Sequence, residues 1–302
     1  GNKGRMLLGQ VLPLAQELEQ RLQKVHGVEL VTIAGSIRRR KETIRDIDVL
    51  VSAKNSERVM EYFTGMKEVQ RVLGKGLTKS SVLLKDNLQV DLRIVPRESY
   101  GSALQYFTGS KEHSINLRRI ALKKHLKLSE YGVFRGKQKI AGKTEEDVYQ
   151  AIGLKYIEPE LRENNGEIEA AAKRILPHLI NSQDIQGVFH VHTNWSDGIN
   201  TMKEMVEAVQ TLEYKYVAIC DHGGPLKVAN SLDEKQLLKQ IKEIDKLNRV
   251  FKDITILKGS EVEILKDGSL GLKNGVLQQL DIVYGSVHSG FKTSENDMTK
   301  RI

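Results

Sequence analysis

The sequence predicts a multidomain chain of α/β and α+β character, and three observations carry that expectation. Between Val28 and Val95, strand-like apolar runs alternate with helix-like stretches. From Gly101 the pattern changes to a basic helix and Gly-containing hairpins. Past Asp184, apolar runs ending in histidine or carboxylate alternate with helical segments, which predicts parallel strands. The 302 residues suffice for two or three domains. With 39% hydrophobic and 28% charged residues there is material for cores and for a solvated surface. No apolar run reaches membrane-spanning length and no signal peptide is read, so no membrane partner is expected. The single cysteine, Cys220, excludes an intramolecular disulfide and fits a reducing cytosol. The net charge of +8 suits a polyanionic partner.

Apolar positions at helical spacing run from Leu7 to about Leu22, with Pro13 expected to bend the segment. Val31–Ala34 reads as a buried strand that stops at Gly35-Ser36. Glycine permits close backbone approach, exposed amides suit a phosphate, and the following Arg38-Arg39-Arg40-Lys41 adds charge and fork geometry. In the next strand, Asp46–Val51, residues two apart share a face. Asp46 and Asp48 therefore project together, while Ile47 and Val49 go to the core. Two carboxylates this close repel unless a hard divalent cation neutralises them. Asp91, in the alternating run Val90–Val95, joins the pair if the two strands are neighbours in one sheet. Phosphate site, acidic pair and third carboxylate together suggest nucleotidyl transfer with two metal ions, Mg2+ or Mn2+.

Lys67 to Lys85 reads as a basic hairpin or loop. Tyr106-Phe107-Thr108-Gly109-Ser110 is an aromatic pair followed by a Gly turn. A basic helix follows from Ile115 to Leu126, with Arg118, Arg119, Lys123 and Lys124. Arg135, Lys137, Lys139 and Lys143 stud a hairpin, and Thr144 caps a short helix. Leu161 to Leu176 reads as a linker helix ending at Pro177. The second α/β region opens on Gly187–Thr193, a strand expected to carry His190 and His192 on one face. His222, Glu261 and His288 each end an apolar run. Residues at the C-terminal ends of parallel strands gather in one crevice, and imidazole with carboxylate suits Mn, Zn or Fe. Cys220 reads as buried core.

Residues 1 to about 165 resemble the palm and thumb of the DNA polymerase X family. The matching residues are Gly35-Ser36, Arg38-Arg39, Asp46-Ile47-Asp48, Val90–Arg93, Tyr106–Ser110, Arg118 and the ending Ala151–Asn164. From about residue 184 the chain resembles a PHP domain, through His190-Val191-His192, Ser196-Asp197-Gly198, Asp221-His222, Glu261 and Gly285–His288. The resemblance implies a nucleotidyltransferase palm over residues 1–98, a thumb over 99–165, a linker over 166–183, and a PHP metallo-phosphoesterase domain, a partial (β/α) barrel, over 184–302. It implies a DNA-directed DNA polymerase, filling gaps in DNA repair, joined to a 3'-5' exonuclease. Asp46, Asp48 and Asp91 would be catalytic and hold the two ions. Gly35, Ser36, Arg39, Tyr106, Phe107, Gly109 and Arg5 would bind the dNTP, and Arg93, Arg118, Lys123 and Lys137 the DNA. His190, His192, Asp197, His222, Glu261 and His288 would ligate a Mn2+ or Zn2+ cluster.

Three residues depart from the family pattern: Arg45 where glycine is usual, Ser114 in place of an asparagine, and Lys111 in place of an acid. They bear on nucleotide affinity. The chain begins without methionine and ends at Ile302 before the later PHP motifs. We therefore expect a fragment without the helix-hairpin-helix domain, with a weakened exonuclease. A monomer in the cytoplasm, associated with the nucleoid, is expected. The competing readings are a DNA-binding scaffold with decayed sites, or a transferase using another nucleotide or acceptor.

Overall fold

The computed structural model describes residues 4–85, 87–226 and 229–302. The chain divides into two compact units, Gly1–His178 and Leu179–Ile302.

The first unit is built on a five-stranded mixed sheet. Its order is Val28–Ile33, Asp46–Ala53, Gln89–Ile94, Lys79–Leu84 and Val69–Lys75. Asp46–Ala53 pairs parallel with Gln89–Ile94, and the other neighbours are antiparallel. The helices Leu8–Gln23 and Ser56–Thr64 bury Val11, Ala15, Leu22, Val59, Met60 and Phe63 together with Ile47, Val49, Val51, Val90 and Leu92 of the sheet. Period-two alternation thus sends Ile47 and Val49 inward as expected. Leu8–Gln23 is assigned as one helix with Pro13 in its second turn. The basic stretch between Lys67 and Lys85 is an antiparallel hairpin at the sheet edge.

Two further helices, Tyr100–Thr108 and Lys111–Lys123, lead into a three-stranded sheet of Lys127–Ser129, Gly132–Arg135 and Gln138–Ala141. Thr144 caps the helix Glu145–Ala151, accepting a hydrogen bond from the Asp147 amide at 3.1 Å. The stretch expected to link the units is docked instead. Helix Glu167–Lys173 buries Ile168 and Ala171 with Leu117, Tyr149 and Ile157. Glu167 accepts from His113, which also meets the Tyr149 hydroxyl, so this segment belongs to the first unit's core.

A buried ionic knot ties these parts together. Arg38 binds the Glu145 carboxylate through both terminal nitrogens, at 2.9 and 2.5 Å, and Arg162 reaches the same group at 2.6 Å. Burial works to raise the Glu145 pKa, but the two guanidinium groups hold it below the ordinary carboxylate range. Its stabilising contribution is therefore fully present above that range and is lost as pH falls below it, through the lowered folded value. Glu145→Gln would leave two guanidinium groups without a counter-charge, Arg162 fully buried among them. We expect a loss of about 3 to 5 kcal/mol at pH 7, shrinking toward pH 4. Urea unfolding at the two pH values measures it, and an equal loss at both would refute the ionic account.

The second unit is a parallel sheet with helices between its strands. Gly187–Val191 pairs with Tyr216–Ile219, which pairs with Thr255–Glu263. Thr255–Glu263 also pairs with His222–Gly223 and with Ile282–Ser286. Helices Met202–Thr211 and Glu234–Val250 connect successive strands, as a partial (β/α) barrel requires. No helix among the described residues is long and apolar enough to cross a membrane.

Candidate functional sites

In the first unit the strand register settles where the third acid lies. Asp48 and Asp91 are direct partners across the parallel pair, and Asp46 lies opposite Gln89. Since residues two apart share a face, the three carboxylates meet on one side of the sheet. Asp91 is oriented by Ser81 and by Gln89, whose amide donates at 2.9 Å. Asp48 lies against Gly35, where an added Cβ would overlap its Oδ2. Gly35 has φ +59°, so the glycine meets both a backbone and a space requirement. Burial, with Asp46 and Asp91 next to it, pushes the Asp48 pKa up to about 7. Such a cluster is poised for a divalent ion that relieves the repulsion.

A cavity of about 520 Å3 opens beside these acids. Arg5, Gly35, Ser36, Arg39, Asp46, Asp48, Tyr106, Phe107, Gly109 and Arg118 all line it, so every sequence-predicted nucleotide contact falls in one place. The three departures, Arg45, Lys111 and Ser114, line it too, with Lys41. Tyr106 and Phe107 stand edge to face with centroids 5.1 Å apart, and Arg118 lies over Tyr106 at 5.8 Å. Arg93, expected on DNA, packs its guanidinium over Phe107 at 4.6 Å. Lys123 and Lys137 are exposed, outside the cavity lining.

Arg39 is not idle in this cavity. Its Nε donates to Glu163 at 2.8 Å and its Nη1 to the Thr108 carbonyl at 2.5 Å. The adjacent Arg38 holds the Thr108 hydroxyl at 2.7 Å. Two neighbouring arginines thus clasp one residue of the Tyr106–Gly109 turn. Motif spacing named both arginines but gave no sign of Thr108 or Glu163 as their partners.

In the second unit the six predicted ligands converge. Glu261 is the hub, within 3.0 Å of His190 Nε2, 3.3 Å of His192 Nε2, 3.4 Å of His222 Nδ1 and 3.1 Å of His288 Nε2. Asp197 meets His192 at 2.9 Å and His222 at 3.5 Å. Three overlapping groups of these residues place their ligand atoms within 4.8 Å of one another. Burial lowers the His222 pKa, favouring the neutral ring a cation needs, and its buried Nδ1 makes no hydrogen bond. Burial works to raise Glu261, yet the hydrogen bonds from His190 and Ser286 hold it below the ordinary range. The donor set fits a transition-metal cluster.

One sequence expectation needs correcting. His190 and His192 do not share a face through regular alternation. The pairing of Gly187–Val191 slips between Val188 and Val191, His190 adopts φ +61°, and the strand ends at Val191. The bulge, not the pleat, aims both rings at Glu261, and they stack 5.1 Å apart.

Motif reading quoted Asp221 only beside His222, without a role, and did not name Glu263. Asp221, fully buried, accepts from the Thr193 amide and hydroxyl, Ser196 and Gln240 at 2.6–2.7 Å, which fixes the loop carrying Asp197. Glu263 accepts from His288 Nδ1 at 2.8 Å and is held by Ser289 and Arg301. Alternation with Glu261 on the same strand was the available signal for Glu263.

Comparison with known proteins finds a described family for a part of each unit. A family profile described as DNA polymerase beta thumb matches residues 103–163, and one described as PHP domain matches residues 189–302. The chain is 39% identical over 303 residues to DNA polymerase/3'-5' exonuclease PolX of Bacillus subtilis, across 99% of this chain and 53% of that protein. It is 30% identical to DNA polymerase lambda of Rattus norvegicus over 184 residues, 49% of this chain and 32% of that one. It is 27% identical to repair DNA polymerase X of African swine fever virus over 161 residues, 49% of this chain and 90% of the viral protein. The chain thus spans about half the length of the Bacillus relative.

Proposed function

We infer that the chain belongs to the bacterial-type DNA polymerase X family, and from that premise that it adds deoxynucleotides to a primer 3'-hydroxyl in the cavity of the first unit and cleaves phosphodiester bonds at the histidine–carboxylate cluster of the second. The observation that carries the first activity is the pairing of Asp48 with Asp91, with Asp46 beside them, at the edge of a cation-lined cavity.

Asp46, Asp48 and Asp91 would hold two ions, Mg2+ or Mn2+. When bound, such ions acidify the primer hydroxyl and neutralise charge on the reacting phosphate. The chain's own residues do the rest. Arg5, Arg39, Lys41 and Arg45 offer charge to the triphosphate. The Tyr106–Phe107 wall orients the sugar, Gly109 lets the base approach, and Arg118 reaches toward the template. In the second unit the six ligands would hold Mn2+ or Zn2+, whose Lewis acidity suits phosphodiester cleavage as a 3'-5' exonuclease. Glu263 and Asp221 keep the ligands in place. The palm, thumb and PHP domain are assigned to residues 1–98, 99–165 and 184–302. The substrate is gapped or primer–template DNA with dNTPs, the protein acts as a monomer, and work on chromosomal DNA puts it at the nucleoid in the cytoplasm.

The test is incorporation into a gapped duplex with Mg2+ or Mn2+, scored separately from 3'-end removal. Asp46→Asn should lower incorporation at least about 10^3-fold while end removal is retained. Unchanged incorporation in that variant would overturn the assignment.

A further inference from the structure

The helix Glu234–Val250 carries a feature that neither site uses. Lys235, Lys239, Lys242, Lys246 and Arg249 are spaced four, three, four and three residues apart. At 3.6 residues per turn they fall within an arc of about 80°, along about 21 Å of helix. All five are exposed. None has an acid within ion-pair distance among the described residues, while two of the helix's three acids are paired with residues off the helix. Asp245 pairs with Lys258 at 2.7 Å and Glu234 with Lys273 at 3.3 Å, and Glu243 is half-buried on the flank. Glu243 and Asp245 stand at i,i+4 spacing from Lys239 and Arg249, yet on the flanks of the arc, and neither forms an ion pair with the stripe.

The opposite face ties this stripe to the metal-ligand cluster. Leu237, Gln240, Ile241 and Ile244 are buried against the sheet, and the Gln240 amide donates to Asp221 at 2.6 Å. Asp221 immediately precedes His222 and anchors the loop that carries Asp197. The helix follows the strand bearing His222 and precedes the strand bearing Glu261. It is therefore keyed in position to the ligands on either side of it in sequence.

We infer that this lysine stripe is a docking surface of the second unit for the sugar–phosphate backbone of DNA, holding the strand whose end is cleaved. Duplex DNA presents one negative charge per about 1.7 Å of axis, so a rigid row of cations 21 Å long meets several phosphates at once without reading bases. The inference rests on the proposed nuclease and adds the surface by which that unit grips its substrate.

The experiment compares three proteins by fluorescence anisotropy on a labelled DNA duplex with a 3' overhang, across a salt series. They are the parent, a stripe variant (Lys235, Lys239, Lys242 and Lys246 each →Gln) and a control variant with the same charge change (Lys203, Lys215, Lys266 and Lys292 each →Gln). Neutralising four phosphate contacts should lower the slope of log affinity against log salt by about 3 to 4 and weaken binding at least about 30-fold at low salt. 3'-end removal should show a raised KM with kcat unchanged, and the control should match the parent. Equal weakening of both variants, or no change in the stripe variant while the parent binds, would overturn the stripe and leave the nuclease reading standing. Binding of the stripe to anionic lipid vesicles without any effect on DNA would also overturn it. A parent that binds DNA but removes no 3' ends would remove the nuclease reading itself, and the inference with it.

Discussion

Asp48→Asn is expected to lower nucleotide addition at least about 10^3-fold and, in metal-free buffer at pH 8, to make the protein more stable than its parent. The two effects share one cause. Asp48 is held between Asp46, Asp91 and the Gly35 backbone, and burial together with the neighbouring acids pushes its pKa up to about 7. A carboxyl raised above its unfolded value favours the folded state fully only while protonated. That contribution is present below the ordinary aspartate range and is lost as pH rises through about 7. Above it the ionised group destabilises the metal-free protein, and an amide of the same shape removes the charge. The gain should be on the order of 1 kcal/mol, about 2 to 4 °C in melting temperature, after allowance for solvent screening. It should vanish near pH 4. Mg2+ or Mn2+ should raise the parent's melting temperature more at pH 8 than at pH 6 and move the variant little. Thermal melts in EDTA and in metal at three pH values check this. A variant less stable than the parent at pH 8 without metal would refute it, since strain at a metal-binding site should be relieved by removing the ligand.

Glu261→Gln should abolish metal loading of the second unit and lower 3'-end removal at least about 10^3-fold, with gap filling retained. Four imidazoles lie within 3.0 to 3.4 Å of this one carboxylate, His190, His192 and His222 on Oε2 and His288 on Oε1. Replacing it with an amide removes the one negative charge among the described residues that touches all four rings and puts an NH2 group where a ligand or hydrogen-bond acceptor stood. The folded state should survive, because the amide is isosteric and its neighbours are the polar imidazoles rather than an apolar core. Metal content by elemental analysis after dialysis, read beside the activity, separates loss of the cluster from loss of fold. Binding in the parent should weaken in acid, since a protonated ring cannot ligate, and burial keeps the His222 ring neutral to lower pH than a free imidazole. Full metal occupancy in Glu261→Gln would contradict the hub role.

Much of both sites was legible because it depends on local periodicity. Asp46 and Asp48 share a face for the same reason that Ile47 and Val49 are buried. What periodicity could not give was the partner strand. Asp91 lies more than forty residues away, and only the observed parallel register brings it opposite Asp48. His190 and His192 were identified for a reason that does not hold, since a backbone slip rather than the pleat aims them. The supporting carboxylates escaped notice because their value is relational. Glu145 is one acid in a run of three until Arg38 and Arg162 are seen around it, and Glu163 is one among many near Asn164. Docking of Glu167–Lys173 turned on an apolar patch of two residues, too short a signal to separate a docked helix from a free one.

The helix that carries the aromatic wall begins in backbone contact with the segment after it. The Gly101 and Ser102 amides donate to the Lys143 and Gly142 carbonyls at 3.2 and 3.0 Å, and a Cβ on Gly101 would overlap the Thr144 backbone. At its other end the wall meets the arginines of the phosphate loop through side chains. The arginine side is not free to part, because Arg38 is also held by the buried Glu145 carboxylate and Tyr100 at the helix start donates to the Leu50 carbonyl of the sheet. Widening the nucleotide chamber would therefore have to break that buried pairing as well as the Thr108 clasp, so the aromatic wall and the arginines are coupled.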